Sequence, residues 1–320
     1  MKKRIPFGDT PLYAAFCVMA MTVCFTGGES RADELAVRAY ELRMRGKADE
    51  AKSLLEQAIA GNPKNAAACY ELARTQLYMA TGDPEKMGDY LKGAQQSIEQ
   101  AKQNDPKNVI YPFFEGHVAF FQTYISMSKN PEEAKKNIER LCGAFETALA
   151  LKPDYPQAML YLVEIYRIIP ENMGGNRDKA EQCARKLEKV NEVYGAKARS
   201  FLLLVQDSEN KVDETKRAEK LIGFWRDVLA AHPKDAEALA EMGRACLGAD
   251  KAVEAAACFD EAARIAPEKR ILFLDMGRSR SMYSSMMKEK NPEAAQQALS
   301  MAESYLGKYL DAEPRIPLKA

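Results

Sequence analysis

The sequence predicts an all-α fold, an α-solenoid in which about seven helical hairpins stack on one another. The first observation is a recurring spacing: a small residue, a bulky apolar residue four positions on, a small residue three further and a proline five beyond that. Offsets of four and three lie on one helical face, and because proline breaks a helix interior, each copy marks a helix end. The second is the repetition itself, which is typical of stacked helical arrays. The third is a composition that is 47% apolar with few strand-forming runs, which lets 320 residues bury a long core without a second domain.

The copies of this spacing place seven repeats in order along the chain. The resulting boundaries are 33–65, 66–108, 109–155, 156–194, 195–235, 236–269 and 270–314, followed by a C-terminal tail at 315–320. The copies with proline start at Ala51, Ala94, Leu141, Leu221, Ala255 and Ala302, and the copy that starts at Ala180 has Glu192 in place of the proline.

Several repeats also show where their second helices begin. Asp83, Asn130 and Asn291 each precede a proline and a glutamate, an order that predicts an N-cap, a first-turn proline and an acid matched to the helix dipole. The fourth repeat instead carries Gly174 and Gly175 between its helices. We expect a tight turn at these glycines, with anion binding by backbone amides as the alternative.

The best copy, Ala236 to Lys269, resembles a tetratricopeptide repeat. Its first helix carries Leu239, Met242, Gly243 and Cys246, and its second carries Ala255, Phe259 and Ala262 before Pro267. The resemblance covers about residues 33 to 314 and implies antiparallel helix pairs, a right-handed superhelix and a protein-binding role. The chain departs from the pattern at Arg38 and Glu115, where an apolar residue is usual, and at Val163 and Leu202, where a small one is usual.

The N-terminus predicts a secretory signal peptide at residues 1–32. A basic start at residues 1–4 precedes an apolar stretch from Leu12 to Phe25, and Ser30 and Ala32 supply the small residues of a cleavage site before Asp33. We therefore expect an exported protein of the periplasm or cell envelope. A retained membrane anchor is the main alternative, although the stretch is shorter than the ~20 residues of a spanning helix. A lipid-anchor site at Cys24 is disfavoured by the bulk of Val23 before it.

No residue pattern predicts catalysis, so we expect a protein that is not an enzyme and has no cofactor. The only histidines, His117 and His232, have no companion ligands at metal-binding spacing, and no P-loop or nucleophile motif is present. Lys plus Arg and Asp plus Glu are balanced at 46 each, which argues against nucleic-acid binding. The five cysteines after residue 32 are expected to be small buried residues, and Cys246 with Cys258 is the one pair spaced to form a bridge if oxidised.

The remaining candidate for function is the concave wall, which the first helices line in arrays of this kind. Aromatic rings offer large contact area and arginine binds carboxylates bidentately, so this wall suits a protein or peptide segment with an acidic end. The pattern lacks the Lys and Asn residues of repeats that clamp chaperone tails. Stepping by three and four from the packing residues predicts the groove residues Tyr70, Arg74, Tyr78, Phe113, His117, Phe120, Tyr124, Arg167, Arg244 and Arg278.

Two alternatives compete with this interpretation. The aromatic residues from Phe113 to Tyr124 would fill an enlarged helix interface if the long helices of repeats two and three pack through them. The segment Ala148 to Ala180 is also similar to repeats of the periplasmic T component of TRAP-type transporters. That resemblance implies an accessory protein that carries or hands over a small ligand. The sequence leaves the identity of the partner and the oligomeric state open.

Overall fold

The computed structural model describes residues 31–127 and 129–312, and these residues confirm the all-α prediction. They divide into two compact units, an N-terminal unit that ends at Lys211 and a C-terminal unit that begins at Val212. The division falls between the two helices of the fifth predicted repeat. The repeat boundaries and the right-handed twist stay predictions. The predicted signal peptide, apart from its last two residues, and the tail at 315–320 lie outside the described residues.

The described residues form fourteen α-helices and one short 3-10 helix, without a strand. In the N-terminal unit the helices are α1 (Arg31–Met44), α2 (Ala48–Gly61), α3 (Ala66–Gly82), α4 (Met87–Asn104), α5 (Ile110–Ser126), α6 (Pro131–Leu151), α7 (Pro156–Ile168), the 3-10 helix (Glu171–Met173), α8 (Arg177–Val190) and α9 (Glu192–Glu209). In the C-terminal unit they are α10 (Glu214–Ala231), α11 (Ala236–Gly248), α12 (Ala252–Ile265), α13 (Ile271–Met287) and α14 (Pro292–Ala312). None of these helices is both long enough and apolar enough to cross a membrane.

The recurring spacing forms the buried seam of the second helices. In the sixth repeat Ala255, Phe259 and Ala262 are all inaccessible, as predicted. Two repeats differ: in the fifth, Trp225 is buried while Leu221 and Val228 are only partly buried, and in the seventh, Leu306 and Tyr309 are only partly buried. Burial is complete or nearly so for the other members Ala51, Leu55, Ala58, Ala94, Ile98, Ala101, Leu141, Phe145, Ala148, Ala180, Ala184, Leu187 and Ala302.

Small residues on the first helices receive these bulky side chains. A Cβ atom added at Gly116 would lie 2.5 Å from Cζ of Phe145, and one added at Gly243 would lie 2.7 Å from Cε1 of Phe259. Contacts that short do not occur between real atoms, so the aromatic ring occupies the space that glycine leaves. Each of the two helix pairs therefore approaches closely because its first helix lacks a side chain there.

The predictions for the segments between helices were partly confirmed. Asn130 accepts a hydrogen bond from the backbone N–H of Glu133, and α6 begins at Pro131 as predicted. At Asp83 the side chain accepts from the backbone N–H of Lys86 at 3.3 Å, as an N-cap would, but the predicted helix start was wrong, because a turn occupies residues 84–86 and α4 begins only at Met87. Gly174 has φ +106°, a left-handed conformation that suits glycine, and it turns the chain between α7 and α8.

Glu115 shows how a charged residue is accommodated where an apolar one is usual. Its side chain is buried on α5, where it pairs with Lys102 and accepts a hydrogen bond from Gln95 at 3.2 Å. A buried carboxylate is tolerated when such partners satisfy it. Glu115 therefore contributes to the contact between α4 and α5.

Replacing Gly116 by alanine should destabilise the chain by about 1–3 kcal/mol, because the new methyl group would overlap the Phe145 ring. Gly143 on α6 is the matched control, since a Cβ there meets nothing within 4 Å. Gly143→Ala should instead stabilise by roughly 0.5–1 kcal/mol through helix propensity. Urea unfolding of both variants distinguishes the two effects. Equal behaviour of the two variants would contradict the packing of α5 on α6.

Candidate interaction surface

Two predicted groove residues of the third helix, Tyr70 and Arg74, meet in one cluster. The guanidinium of Arg74 lies 5.5 Å from the ring centroid of Tyr70 and 5.7 Å from that of Tyr40 on α1. Arg43 on α1 lies 5.3 Å from the Tyr40 ring. Cations over aromatic faces are favourable at such distances. The structure thus brings α1 and α3 together through alternating arginine and tyrosine side chains.

One carboxylate joins both arginines of this cluster. Glu71 accepts from Arg43 at 3.1 Å and from Arg74 at 2.5 Å. Only 5% of Arg43 is exposed, and burial lowers the pKa of its guanidinium, an effect that the Glu71 charge opposes. Burial also raises the pKa of the half-buried Tyr78 hydroxyl to about 12, although Arg43 opposes that shift. Arg43 and Arg74 therefore already bind a carboxylate of the same chain, that of Glu71.

Phe113 was wrongly assigned to the groove. Its side chain is 4% exposed and belongs to a core cluster with Phe145 and Tyr155. The Phe113 ring centroid lies 4.8 Å from that of Tyr155 at the start of α7 and 5.5 Å from that of Phe145 on α6. The long α5 therefore directs this ring into the interior with α6 and α7, helices of the third and fourth predicted repeats, and not into an interface between repeats two and three.

His117 lies at the edge of the same aromatic packing. Its ring centroid is 4.9 Å from that of Phe113 and 5.4 Å from that of Tyr161, and the residue is partly exposed. Burial lowers the pKa of the imidazole to about 4, so the side chain is neutral near pH 7. His117 thus offers no positive charge to an acidic partner.

Three aromatic side chains in the later turns of α5 remain at least partly accessible. Tyr124 is 45% exposed, and Phe120 and Phe121 are partly buried with ring centroids 5.7 Å apart. Phe120 also packs against the core cluster that contains Phe113. The predicted aromatic set therefore divides into a buried part around Phe113 and an accessible part that ends at Tyr124.

Arg167 on α7 binds a carboxylate of the same unit. Its two terminal nitrogens donate to the two oxygens of Glu209 on α9, at 3.0 and 2.6 Å. Arg177 on α8 reaches the same carboxylate at 3.1 Å. The hydrogen bonds from Arg167 are the main cause that lowers the pKa of Glu209, and the positive charges of Arg167 and Arg177 lower it further. The bidentate geometry expected for an acidic partner is thus already formed within the chain.

The C-terminal unit repeats this arrangement at Arg244. This residue of α11 donates to Glu241 and to Asp275 on α13, each at 2.8 Å. Burial disfavours the charged forms of both Arg244 and Asp275. The carboxylates of Glu241 and Asp275 nevertheless raise the pKa of Arg244. Burial keeps the pKa of Asp275 raised, although Arg244 opposes that shift. Arg278, one turn beyond Asp275, is exposed to solvent.

The sequence predicted Arg74, Arg167 and Arg244 on this surface, but it did not show the carboxylates that bind these arginines and Arg43. Each acid lies on the first helix of the next repeat, at separations of 28 residues for Arg43 and Glu71, 42 for Arg167 and Glu209, and 31 for Arg244 and Asp275. Separations near one repeat length were the signal that could have found them. The three pairs connect successive first helices within a unit.

No group of three or more His, Cys, Asp or Glu side chains within residues 31–127 and 129–312 is arranged to hold a metal ion. The surface presents aromatic faces, guanidinium groups and the carboxylates that bind them. Tyr40, Tyr70, Arg74 and Tyr124 lie in the N-terminal unit, whereas Arg244 and Arg278 lie in the C-terminal unit.

Comparison with known proteins supports the tetratricopeptide superfamily. Residues 42–86, from the end of α1 to the turn after α3, match the tetratricopeptide repeat family model. No curated protein matches the chain. Nothing in these comparisons supports the resemblance to the TRAP transporter component.

Several solved structures are similar to the chain at low identity. The thermophilic TPR protein TTC0263 of Thermus thermophilus is 18% identical, with 78% of this chain and 98% of that chain covered and a TM-score of 0.44. A tetratricopeptide repeat protein of Parabacteroides merdae is 17% identical, with 85% and 98% covered and a TM-score of 0.43. The human IFIT1 dimer with PPP-AAAA is 20% identical, with 72% and 54% covered and a TM-score of 0.45.

Proposed function

We propose that this chain is a non-catalytic protein-interaction scaffold of the cell envelope, whose first helices bind a segment of a partner protein. The observation that carries the proposal is the accessible aromatic surface on α5, where Tyr124 is 45% exposed and Phe120 and Phe121 are partly exposed. Aromatic side chains supply much of the binding energy at protein interfaces. The match to the tetratricopeptide repeat favours protein binding over catalysis.

The arginines have a different role from the one that their spacing suggested. An acidic segment would have to displace Glu71, Glu209 or Asp275 from bonds already made within the chain. We therefore assign the contact energy to the aromatic residues and assign Arg43, Arg167 and Arg244 to holding neighbouring first helices in place. Removal of such an arginine would alter binding mainly by disturbing the fold.

Photo-cross-linking tests this assignment. A benzoylphenylalanine at position 124 should capture a partner protein in cells, because the side chain would face the bound segment. The matched control is position 151, since Leu151 on α6 is 40% exposed, close to the 45% of Tyr124. We expect one dominant adduct from position 124 and none of that mass from position 151.

Two outcomes would contradict the proposal. Equal capture of the same protein at both positions would indicate non-specific contact, and no adduct at position 124 in the organism that produces the chain would remove α5 from the binding surface. Circular dichroism of both substituted chains, which should match that of the unsubstituted chain, keeps misfolding from imitating either result.

Export is the second part of the proposal, and it rests on the N-terminal sequence alone. The chain recovered from cells should begin at Asp33, because the apolar stretch ends at a small-x-small site. N-terminal sequencing after cell fractionation measures this directly. A full-length chain in the membrane fraction would instead support a retained anchor.

A further inference from the structure

An uninterrupted series of aromatic rings connects three first helices of the N-terminal unit. The ring centroids of Tyr70 on α3 and Phe114 on α5 lie 5.3 Å apart. Along α5 the Phe114 centroid lies 6.0 Å from that of His117, which in turn lies 5.4 Å from that of Tyr161 on α7. Rings at these distances are in contact, so the series extends from α3 to α7 without a gap.

The series begins on α1. The guanidinium of Arg74 lies 5.7 Å from the ring centroid of Tyr40 and 5.5 Å from that of Tyr70, so it links α1 to α3. Each of these side chains is partly exposed. We call the set the aromatic row, and its members are Tyr40, Tyr70, Arg74, Phe114, His117 and Tyr161.

The aromatic row continues along α5 toward the end of that helix. Phe121 and Tyr124 follow His117 by four and seven residues, so the three side chains lie on one face of α5. Phe121 is partly exposed and Tyr124 is 45% exposed. The row is therefore continuous with the accessible surface on which the proposed function rests.

The electrostatics of the row favour an uncharged ligand. Burial lowers the pKa of His117 to about 4, so the imidazole is neutral near pH 7. Burial also raises the pKa of Tyr70, which keeps its hydroxyl protonated and able to donate a hydrogen bond. The charge of Arg74 is paired with Glu71 at 2.5 Å. A charged segment would lose hydration on this surface without gaining a counter-charge, whereas a segment with carbonyl acceptors would not.

A polyproline II helix matches both the chemistry and the spacing of the row. It has no internal hydrogen bonds, so its carbonyls are available to tyrosine hydroxyls, and it advances about 9 Å in each turn of three residues. Helices in contact have axes about 8–10 Å apart, so one turn of such a ligand reaches from one first helix to the next. Grooves lined with aromatic side chains bind proline-rich segments in this conformation.

We propose that the aromatic row binds an uncharged, proline-rich segment of a partner protein in the polyproline II conformation. Rings on four successive first helices, at Tyr40, Tyr70, Phe114 and Tyr161, each contact one turn of the segment. The proposal rests on the proposed function, because it names the chemistry of the segment that the first helices bind.

Titration calorimetry of the purified full chain with synthetic peptides tests the proposal. The probe is decaproline blocked at both ends, and the two control peptides are ten residues of alternating Gly and Ser and ten of alternating Glu and Gly, blocked in the same way. We expect saturable binding of decaproline and no heat from the Gly-Ser peptide. Absence of decaproline binding, equal binding of the Gly-Ser peptide or tighter binding of the acidic peptide would each overturn the proposal.

Variants locate the binding on the aromatic row. Phe114→Ala should weaken decaproline binding by about tenfold. Tyr90→Ala is the matched control, since Tyr90 is also partly exposed but lies on the second helix α4, and its affinity should not change. Unchanged affinity in Phe114→Ala, or an equal loss in Tyr90→Ala, contradicts the assignment.

A second substitution decides the question if Phe114→Ala does not fold. Tyr70→Phe keeps the ring and removes only the hydroxyl that would donate to a peptide carbonyl, so circular dichroism should match that of the unsubstituted chain. We then expect decaproline to bind about threefold more weakly. Unchanged affinity would count against the row as the binding surface.

The proposed function and this inference fail separately. Capture of a partner at position 124 without decaproline binding would overturn the proline-rich assignment and leave the interaction scaffold in place. Decaproline binding that depends on Phe114, with no adduct at position 124, would support the aromatic row and contradict the site at the end of α5.

Discussion

Replacing Phe259 by alanine should lower the free energy of unfolding by about 3–5 kcal/mol. The side chain is fully buried on α12, and its ring fills the space beside Gly243 on α11. Truncation removes that apolar contact and leaves a cavity, because the glycine has no side chain to move into it. Urea unfolding followed by circular dichroism measures the change.

Val253→Ala is the matched control for this prediction. Val253 lies on the same helix but is 59% exposed, so its truncation should change stability by less than about 0.5 kcal/mol. A loss below about 1 kcal/mol for Phe259→Ala would show that the seam of α12 does not face α11.

Replacing Glu71 by glutamine should cost roughly 3–5 kcal/mol of stability. Glutamine retains the shape but removes the negative charge that lies between Arg43 and Arg74. The two guanidinium groups would then repel each other, with Arg43 buried at 5% exposure. Removing one member of a buried ion pair is costly because the remaining charge has no water to solvate it.

Glu56→Gln is the control for the charge change itself. Glu56 pairs with Lys52 on the solvent face of α2, where its side chain is 52% exposed, so the substitution should cost at most about 1 kcal/mol. Similar losses for both variants would mean that Glu71 does not connect α1 to α3. An intact fold with unchanged stability in Glu71→Gln would contradict the structural role given to the arginines.

The helical repeat could be predicted from the sequence because its signal is local. Ala255, Phe259 and Ala262 share a face by spacing alone, and the small residue Gly243 indicates where a neighbouring helix packs. The start of α4 could not be read in the same way. Asp83 and Pro84 fit a helix start, but the first backbone hydrogen bonds after them close a turn instead.

The candidate site was harder to predict because it depends on neighbours distant in sequence. The spacing places Phe113 and Tyr124 on related sides of α5, yet α7 covers the first and leaves the second accessible. Likewise, the position of Arg167 was suggestive, but whether it faces a partner or Glu209 is decided by the packing of α7 on α9. Local periodicity contains neither piece of information.

We expect the accessible aromatic residues on α5 to bind a partner, while Arg43, Arg167 and Arg244 hold neighbouring helices in place. The most direct measurement is the affinity of the protein captured from position 124 for Tyr124→Ala and Leu151→Ala chains, measured by titration calorimetry. We predict a loss of about 1–2 kcal/mol for Tyr124→Ala and no change for Leu151→Ala, with the same unfolding midpoint in both. Unchanged affinity in Tyr124→Ala, or an equal loss in Leu151→Ala, would contradict the claim.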